Sequence, residues 1–299
     1  MPGLEFHPLS DLRGQAARLL AERFAAQLRA EPLLPEIDDF HDHVPDEDGL
    51  VATRGGEAVA YLAGAVEDDT AWVRFGGVAA SEPEAVRDLF AAMAERWNVA
   101  RFQVFVPASD DELRDAFFRL GFGCQAAFAV RETESAARVD FGGTIRPSTP
   151  DDLEAAARFD EILWRHQART PSFSGRTVPD RDHFREEWST LWDEVDEFPA
   201  HFVAERDGHV VGHALLYRRP EGDLRVPAHN IDLAHAATLD EVRGSGVGLA
   251  LTAHVLAWAH EHGYRSMTTD WRAVNLLSSR FWPRRGFRPQ YLRLYRSVP

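Results

Sequence analysis

Asn230-Ile231-Asp232-Leu233-Ala234-His235-Ala236-Ala237-Thr238-Leu239-Asp240-Glu241-Val242-Arg243-Gly244-Ser245-Gly246-Val247-Gly248-Leu249 is the stretch that decides the fold. Its first half is a short apolar run of strand character. Three glycines then strip side chains from a turn, so successive backbone N–H groups can point into one concavity. Beyond the turn, Val247, Leu251, Val255 and Trp258 recur at helical spacing. The start of that helix adds the positive end of its dipole. Strand, glycine turn and helix together make an anion site from main chain, and Arg243 at its lip can add a charge-assisted contact.

Composition narrows what the anion can be. The chain has 299 residues, 44% apolar and 27% charged, which suits two packed domains. No run approaches the ~18 apolar residues of a membrane span, and charges occur throughout the N-terminal region, so neither a span nor a signal peptide is expected. The single cysteine, Cys124, makes no internal disulfide and no cysteine-rich zinc cluster, and the expected compartment is the cytoplasm. All 33 basic residues are arginine, which excludes Schiff-base lysine chemistry and a Walker lysine. Residues 1–140 carry 13 Arg against 26 acids, residues 141–226 carry 11 against 17, and residues 227–299 carry 9 against 5. An acidic chain is unsuited to nucleic acid, whereas a basic C-terminal quarter suits a compact anionic ligand.

The chain reads as one pattern written twice. Helical spacing at 12–28 is followed by an acidic loop and by two strand-like runs, 50–53 and 58–62, joined at Gly55-Gly56. A third strand is expected at 71–78, a helix at 82–97, a strand at 102–106, and a helix closing in Gly121-Phe122. The second copy has a strand at 144–147, a helix capped near Thr149 or Asp151, and a partly helical stretch at 181–198. A hairpin (201–205, 210–217), a strand (230–237), a helix (246–262) and a strand (266–271) come next. A helix then closes in Gly286-Phe287, and a last strand is expected at 291–295. The domains are accordingly placed at 1–138 and 142–299.

Three families use glycine turns of this kind. A dinucleotide fingerprint needs a glycine where Leu249 stands and further strand–helix units beyond it. A methyltransferase turn fits Gly244, Gly246 and Gly248 but usually follows an acid where this chain has Arg243. The spacing Arg243-x-x-Gly246-x-Gly248 resembles the pyrophosphate loop of the GNAT superfamily of acyl-CoA-dependent N-acyltransferases. Asn275-x-x-Ser278-x-x-x-Trp282-x-x-x-Gly286-Phe287 is similar to the family's downstream pattern, and Ile145-Arg146-Pro147 and Val210-Val211-Gly212 match its opening strand and hairpin.

The resemblance implies an α/β fold of two tandem GNAT-like domains, each a mixed, mostly antiparallel sheet splayed at the cofactor site and flanked by helices. It implies acetyl-CoA as co-substrate, with Ala236, Ala237 and Thr238 along the pantetheine arm. Arg243, Gly244, Ser245, Gly246, Val247, Gly248 and Leu249 would lie around the diphosphate, and Asn275 beyond the second strand. It further implies direct attack by an amine of a small molecule or a peptide, with no metal and no covalent acyl-enzyme. The family's base position falls on Asp232. His235, three residues on, is expected on the opposite face by strand alternation and is the second candidate. Trp282 stands where many relatives have a proton-donating tyrosine, and an indole is no acid. Tyr291 and Tyr295 are the nearby substitutes, and a non-catalytic acyl-CoA sensor is the alternative.

Laid over the first half, the template finds no Arg-x-x-Gly-x-Gly. Ser81 and Glu84 read as a capping box, and acids crowd the turn, so this copy is expected not to hold coenzyme A and to shape or support its neighbour. His41-Asp42-His43 and His260-Glu261-His262 lack metal-site spacing. The acid- and aromatic-rich stretch 182–198 reads as an amphipathic helix lying where the family builds its acceptor wall.

Overall fold

The computed structural model describes residues 3–135, 138–169, 171–172, 177–220 and 222–298. In chain order the elements begin β1 (Glu5–Pro8), α1 (Arg13–Ala30), β2 (Gly49–Arg54), β3 (Glu57–Ala63), β4 (Ala65–Glu67), β5 (Thr70–Val73) and β6 (Val78–Ala80). Next come α2 (Ala85–Trp97), β7 (Arg101–Pro107), α3 (Asp111–Arg119) and β8 (Gly123–Glu132). The remainder are β9 (Thr144–Pro147), α4 (Leu153–Ala168), α5 (Arg181–Ser189), β10 (Ala200–Arg206), β11 (His209–Tyr217), β12 (Asn230–Thr238), α6 (Val247–Glu261), β13 (Ser266–Arg272), α7 (Ser278–Phe281) and β14 (Arg288–Ser297).

The chain packs as two compact units: residues 1–129 with 223–225 and 289–299, and residues 130–222 with 226–288. Packing therefore divides the chain differently from the composition break near residue 140. β14 belongs to the first unit, antiparallel to β7 from Tyr291↔Pro107 to Ser297↔Arg101, with Tyr291 and Leu294 fully buried. Tyr291 packs into one apolar cluster of the first unit and Leu292 and Leu294 into another, a non-local preference that sequence order does not reveal.

In the first unit, β1, β2, β3 and β6 form one antiparallel set, and β4, β5, β7, β14 and β8 lie in that order in the other. The third strand expected at 71–78 is broken. β5 pairs in parallel with β7 and ends at Val73, while β6 resumes at Val78 on β3. The strands β1, β4 and β8 have no counterpart in the expected pattern; Asp68 and Asp69 make the turn between β4 and β5 with positive φ of 45° and 59°. At the break, the buried guanidinium of Arg23 donates to Phe75 O at 2.7 Å and also to Val78 O. The Tyr61 hydroxyl donates to Gly76 O at 2.5 Å. A Cβ on Gly76 would meet His43 O at 2.0 Å, so the backbone closes here as only glycine permits. The expected capping box does not form, because other partners claim its groups. Ser81 donates to Val59 O (3.3 Å), and Glu84 pairs with Arg87 and Arg119, each at 2.5 Å.

The second unit is a sheet in the order β13-β12-β11-β10-β9, antiparallel except for β12 with β13. One face is covered by α6, whose Val247, Leu251, Val255, Leu256 and Ala259 are buried. A Cβ on Gly212 would stand 3.0 Å from Leu251 Cδ1, so glycine lets the helix settle on β11. The other face packs against α4 and α5 through Ala156, Trp188, Leu191 and Leu215. The closing helix expected after β13 is short, with α7 passing directly into a 3-10 turn at Pro283–Arg285.

Replacing Arg23 with Met would strand two buried carbonyls. The expected cost is about 2–4 kcal/mol, or on the order of 10 °C in melting temperature. Differential scanning calorimetry checks this, and a shift under about 2 °C would contradict the sealing role.

Candidate functional site

The second sheet opens along one edge. β12 pairs with β11 along its length, from Tyr217↔Asp232 to Gly212↔Thr238. It pairs with β13 only from Asn230↔Ser266 to Asp232↔Thr268, with one further link, Thr269 Oγ1 to Leu233 O at 2.9 Å. Leu239 N–H donates to Val211 O (3.0 Å), so by antiparallel alternation Ala237 also turns its backbone groups to β11. Ala236 and Thr238 turn theirs to the open side.

Thr238 leads through Leu239 and a 3-10 turn, Asp240–Val242, into the glycine stretch. Gly244 and Gly246 have φ of 80° and 92°, values that glycine adopts without strain. Arg243 N–H and Ser245 N–H are used internally, on Asp240 O and Val242 O at 3.2 Å each, whereas Ala250 N–H donates to Gly246 O as the first bond of α6 (2.9 Å). Among the described residues, the N–H groups of Gly244, Gly246, Val247, Gly248 and Leu249 have no backbone acceptor. They form the open donor cluster of a helix N-terminus. The Arg243 side chain is 37% exposed and rests on Asp240 at 2.7 Å.

The two candidate bases stand differently from their expected arrangement. Leu215 pairs with His235 and Leu216 with Leu233, so Ala234 is an extra residue in β12, a bulge. One inserted residue reverses alternation, and His235 shares a face with Asp232 instead of opposing it. Asp232 is 2% exposed and its carboxylate is engaged on both oxygens. Oδ1 accepts from Thr268 Oγ1 (2.6 Å) and Oδ2 from Arg219 Nη2 (2.7 Å). Burial raises its pKa, against the lowering effect of Arg219 and Thr268.

His235 sits one bulge further on, its ring 33% exposed, with Nδ1 2.8 Å from Asp160 Oδ1 of α4. Burial alone would lower its pKa; Asp160, then Asp270 and Asp232, outweigh that and raise it. The other Asp160 oxygen accepts from Trp188 Nε1 of α5 at 2.7 Å. Beside them His201 Nε2 and His213 Nδ1 are 3.1 Å apart, and His213 stacks on Phe159 with ring centres 4.7 Å apart.

Asn275 is buried, and its Oδ1 accepts from Leu277 N–H (3.1 Å) and Ser278 N–H (3.4 Å) at the head of α7, with His166 Nε2 at 3.2 Å. Trp282 is buried between Phe281 and Phe287, with ring centres at 4.9 and 5.4 Å. Tyr291 lies in the first unit's core, where burial raises its pKa, and Tyr295 stands on the same strand, opposite Gln103; neither belongs to the second unit. Asp160 is the residue that motif reading missed. Its signal was local: it falls on the stripe Leu153, Ala156, Ala157, Asp160, an acid on the apolar face of a helix.

Residues 161–287 match the profile described as the Acetyltransferase (GNAT) family. Solved structures of similar fold include a GCN5-related N-acetyltransferase from Sphaerobacter thermophilus, 16% identical over 99% of this chain and 96% of its own, with a TM-score of 0.60. A tandem GNAT protein from the clavulanic acid biosynthesis pathway is 17% identical over 99% of both chains, TM-score 0.51. A GNAT-family acetyltransferase from Colwellia psychrerythraea is 13% identical over 99% and 100%, TM-score 0.53. No curated protein matches in sequence. The chain thus carries a GNAT acetyltransferase domain at 161–287, and its N-terminal half is GNAT-like in fold. A domain of this family implies acyl-CoA-dependent acyl transfer in general. Among the described residues, no helix is long and apolar enough to cross a membrane, and no group of three or more His, Cys, Asp or Glu side chains is placed to hold a metal.

Burial drives the His201 pKa from 6.5 down to about 4 and that of His213 well below 6.5. The folded state therefore resists protons that the unfolded chain accepts. The stability of this pair is full above pH 6.5 and declines as the pH falls toward 4. His201 alone accounts for on the order of 3 kcal/mol. Denaturant titrations across that window should show a slope shallower by about one proton in His201→Asn; an unchanged slope would contradict the assignment.

Proposed function

We propose that the protein is an N-acetyltransferase that moves an acetyl group from acetyl-CoA to a primary amine of a small molecule, by direct attack with both substrates bound. The observation that carries this reading is the cluster of open N–H groups at Gly244, Gly246, Val247, Gly248 and Leu249, lying next to a strand edge that β13 leaves unpaired. A diphosphate fits such a cluster because each oxygen meets an aligned donor in the field of the α6 dipole. The arm of the carrier fits the open edge at Ala236 and Thr238, with Ala237 between them and Arg243, Ser245 and Asn275 bordering the path.

The bound thioester would supply an activated acyl carbon. What the chain's own residues do is hold it, exclude water and take a proton. His235 is the base this geometry favours over Asp232, since its Nε2 lies on a partly exposed ring while both Asp232 oxygens are engaged. Asp232 instead locks the strands where they part. Trp282 offers no proton, so the thiolate, a tolerable leaving group, would depart without a protein acid. The same indole favours the second reading, an acyl-CoA sensor without turnover.

Thiol release from acetyl-CoA across a panel of primary amines, run beside calorimetry, separates the two. Release supports the transferase, binding without release supports the sensor, and no binding removes both. Gly246→Ala forces a side chain into positive φ and should weaken acetyl-CoA binding by about fivefold or more. His235→Gln should lower kcat by roughly 10²–10⁴, whereas Asp232→Asn should lower melting temperature first and leave kcat of the folded enzyme within about tenfold.

A further inference from the structure

Resting on the transferase reading, we infer that Asp160 is a positioning residue for His235, and that Trp188 in turn fixes Asp160. A carboxylate can only accept. With Oδ1 2.8 Å from His235 Nδ1, it holds the ring proton on Nδ1 and leaves the Nε2 lone pair turned toward the exposed side. Both atoms are buried and neither meets hydrogen-bond geometry with any group among the described residues, so this ion-pair approach is the whole of their polar contact. Trp188 Nε1 can only donate, and its 2.7 Å bond occupies Oδ2, leaving Oδ1 for the imidazole. Helix α4 supplies the acid, α5 the indole and the bulged strand β12 the base.

The step is a proton transfer that balances within the site. As the amine nitrogen bonds to the acyl carbon, the carbon–sulfur bond of the thioester breaks and the thiolate leaves with its electron pair. The amine proton passes to Nε2, the imidazolium is stabilised by the Asp160 carboxylate 2.8 Å from Nδ1, and that proton is then released to solvent or to the departed thiolate. The charged and titratable groups facing His235 are Asp160 from α4, Asp270 from β13, Asp232 on its own strand and His201 and His213 from β10 and β11. The carboxylates favour imidazolium, and the two buried histidines remain neutral through the physiological range. Rate should therefore rise with pH through a His235 titration above 6.5.

Nitrogen-detected NMR of the wild-type protein without substrates reads the pairing directly. The expected result is the Nδ1–H tautomer with a midpoint above 6.5; an Nε2–H tautomer, or a midpoint at or below 6.5, overturns it. In Asp160→Asn, the amide can donate to Nδ1 and move the ring proton onto Nε2. The midpoint should fall by at least about one unit, the acidic limb of kcat should move down with it, and kcat should drop about 10- to 100-fold. Acetyl-CoA affinity should change less than about twofold, since Asp160 lies outside the N–H cluster. If kcat falls but neither the His235 midpoint nor the pH limb moves, Asp160 is merely structural. If no amine elicits thiol release from the wild type while the NMR result holds, the transferase reading fails and the pairing survives.

Discussion

The second unit is organised by the point at which β12 and β13 stop pairing. Their parallel register ends at Asp232↔Thr268, and a ladder of side chains fastens them up to that point. Ser266 donates to Asn230, Asn230 to Thr268, and Thr268 to Asp232, at 3.0, 2.9 and 2.6 Å. Arg219 closes the ladder on the far Asp232 oxygen. Satisfying these buried polar groups by one another makes the junction rigid, and beyond it β12 has a paired edge on one side and an open one on the other. The bulge at Ala234 begins just past this junction. It rotates His235 onto the face covered by α4 and α5, where Asp160 and Trp188 wait.

The two units solve the same backbone problem in opposite ways. Where the sheet of the first unit breaks, between Val73 and Val78, its own Arg23 and Tyr61 satisfy the loosened carbonyls, and acids at the next turn are tied to Arg54, Arg87 and Arg119. Where the second sheet opens, donors stay without protein acceptors at the head of α6. Carbonyls met by the protein's own donors need nothing added at that break, whereas unmet N–H groups gain most from an anion. This contrast supports reading only the second unit as a ligand site.

Much of this was legible in the sequence where the signal is local. The glycine turn, the α6 spacing, the hairpin of β10 and β11 and the duplicated order of elements all rest on propensity and periodicity, which act within a few residues. Whatever depends on register was hidden. One extra residue at Ala234 reverses the facing of His235, and no pattern in 230–238 announces it. Ser81 and Glu84 have capping-box spacing, yet Arg87 one turn on and Arg119, distant in sequence, take the acid. The role of Asn275 as the head of α7 is a local cap masked by the family motif it belongs to. Asp160 was readable from helix amphipathicity, but only its pairing with β12 gives the acid a meaning.

The placement of β14 carries a consequence for biosynthesis. Residues 289–299 complete the unit that begins with 1–129, so the half synthesised first waits for a strand that the ribosome makes about 160 residues later. At ordinary elongation speeds that delay is roughly 8 to 32 s. Throughout it, the nascent first unit lacks the strand that lies between β7 and β8 in its sheet, a gap open to chaperones or to the equivalent strand of a neighbouring nascent chain.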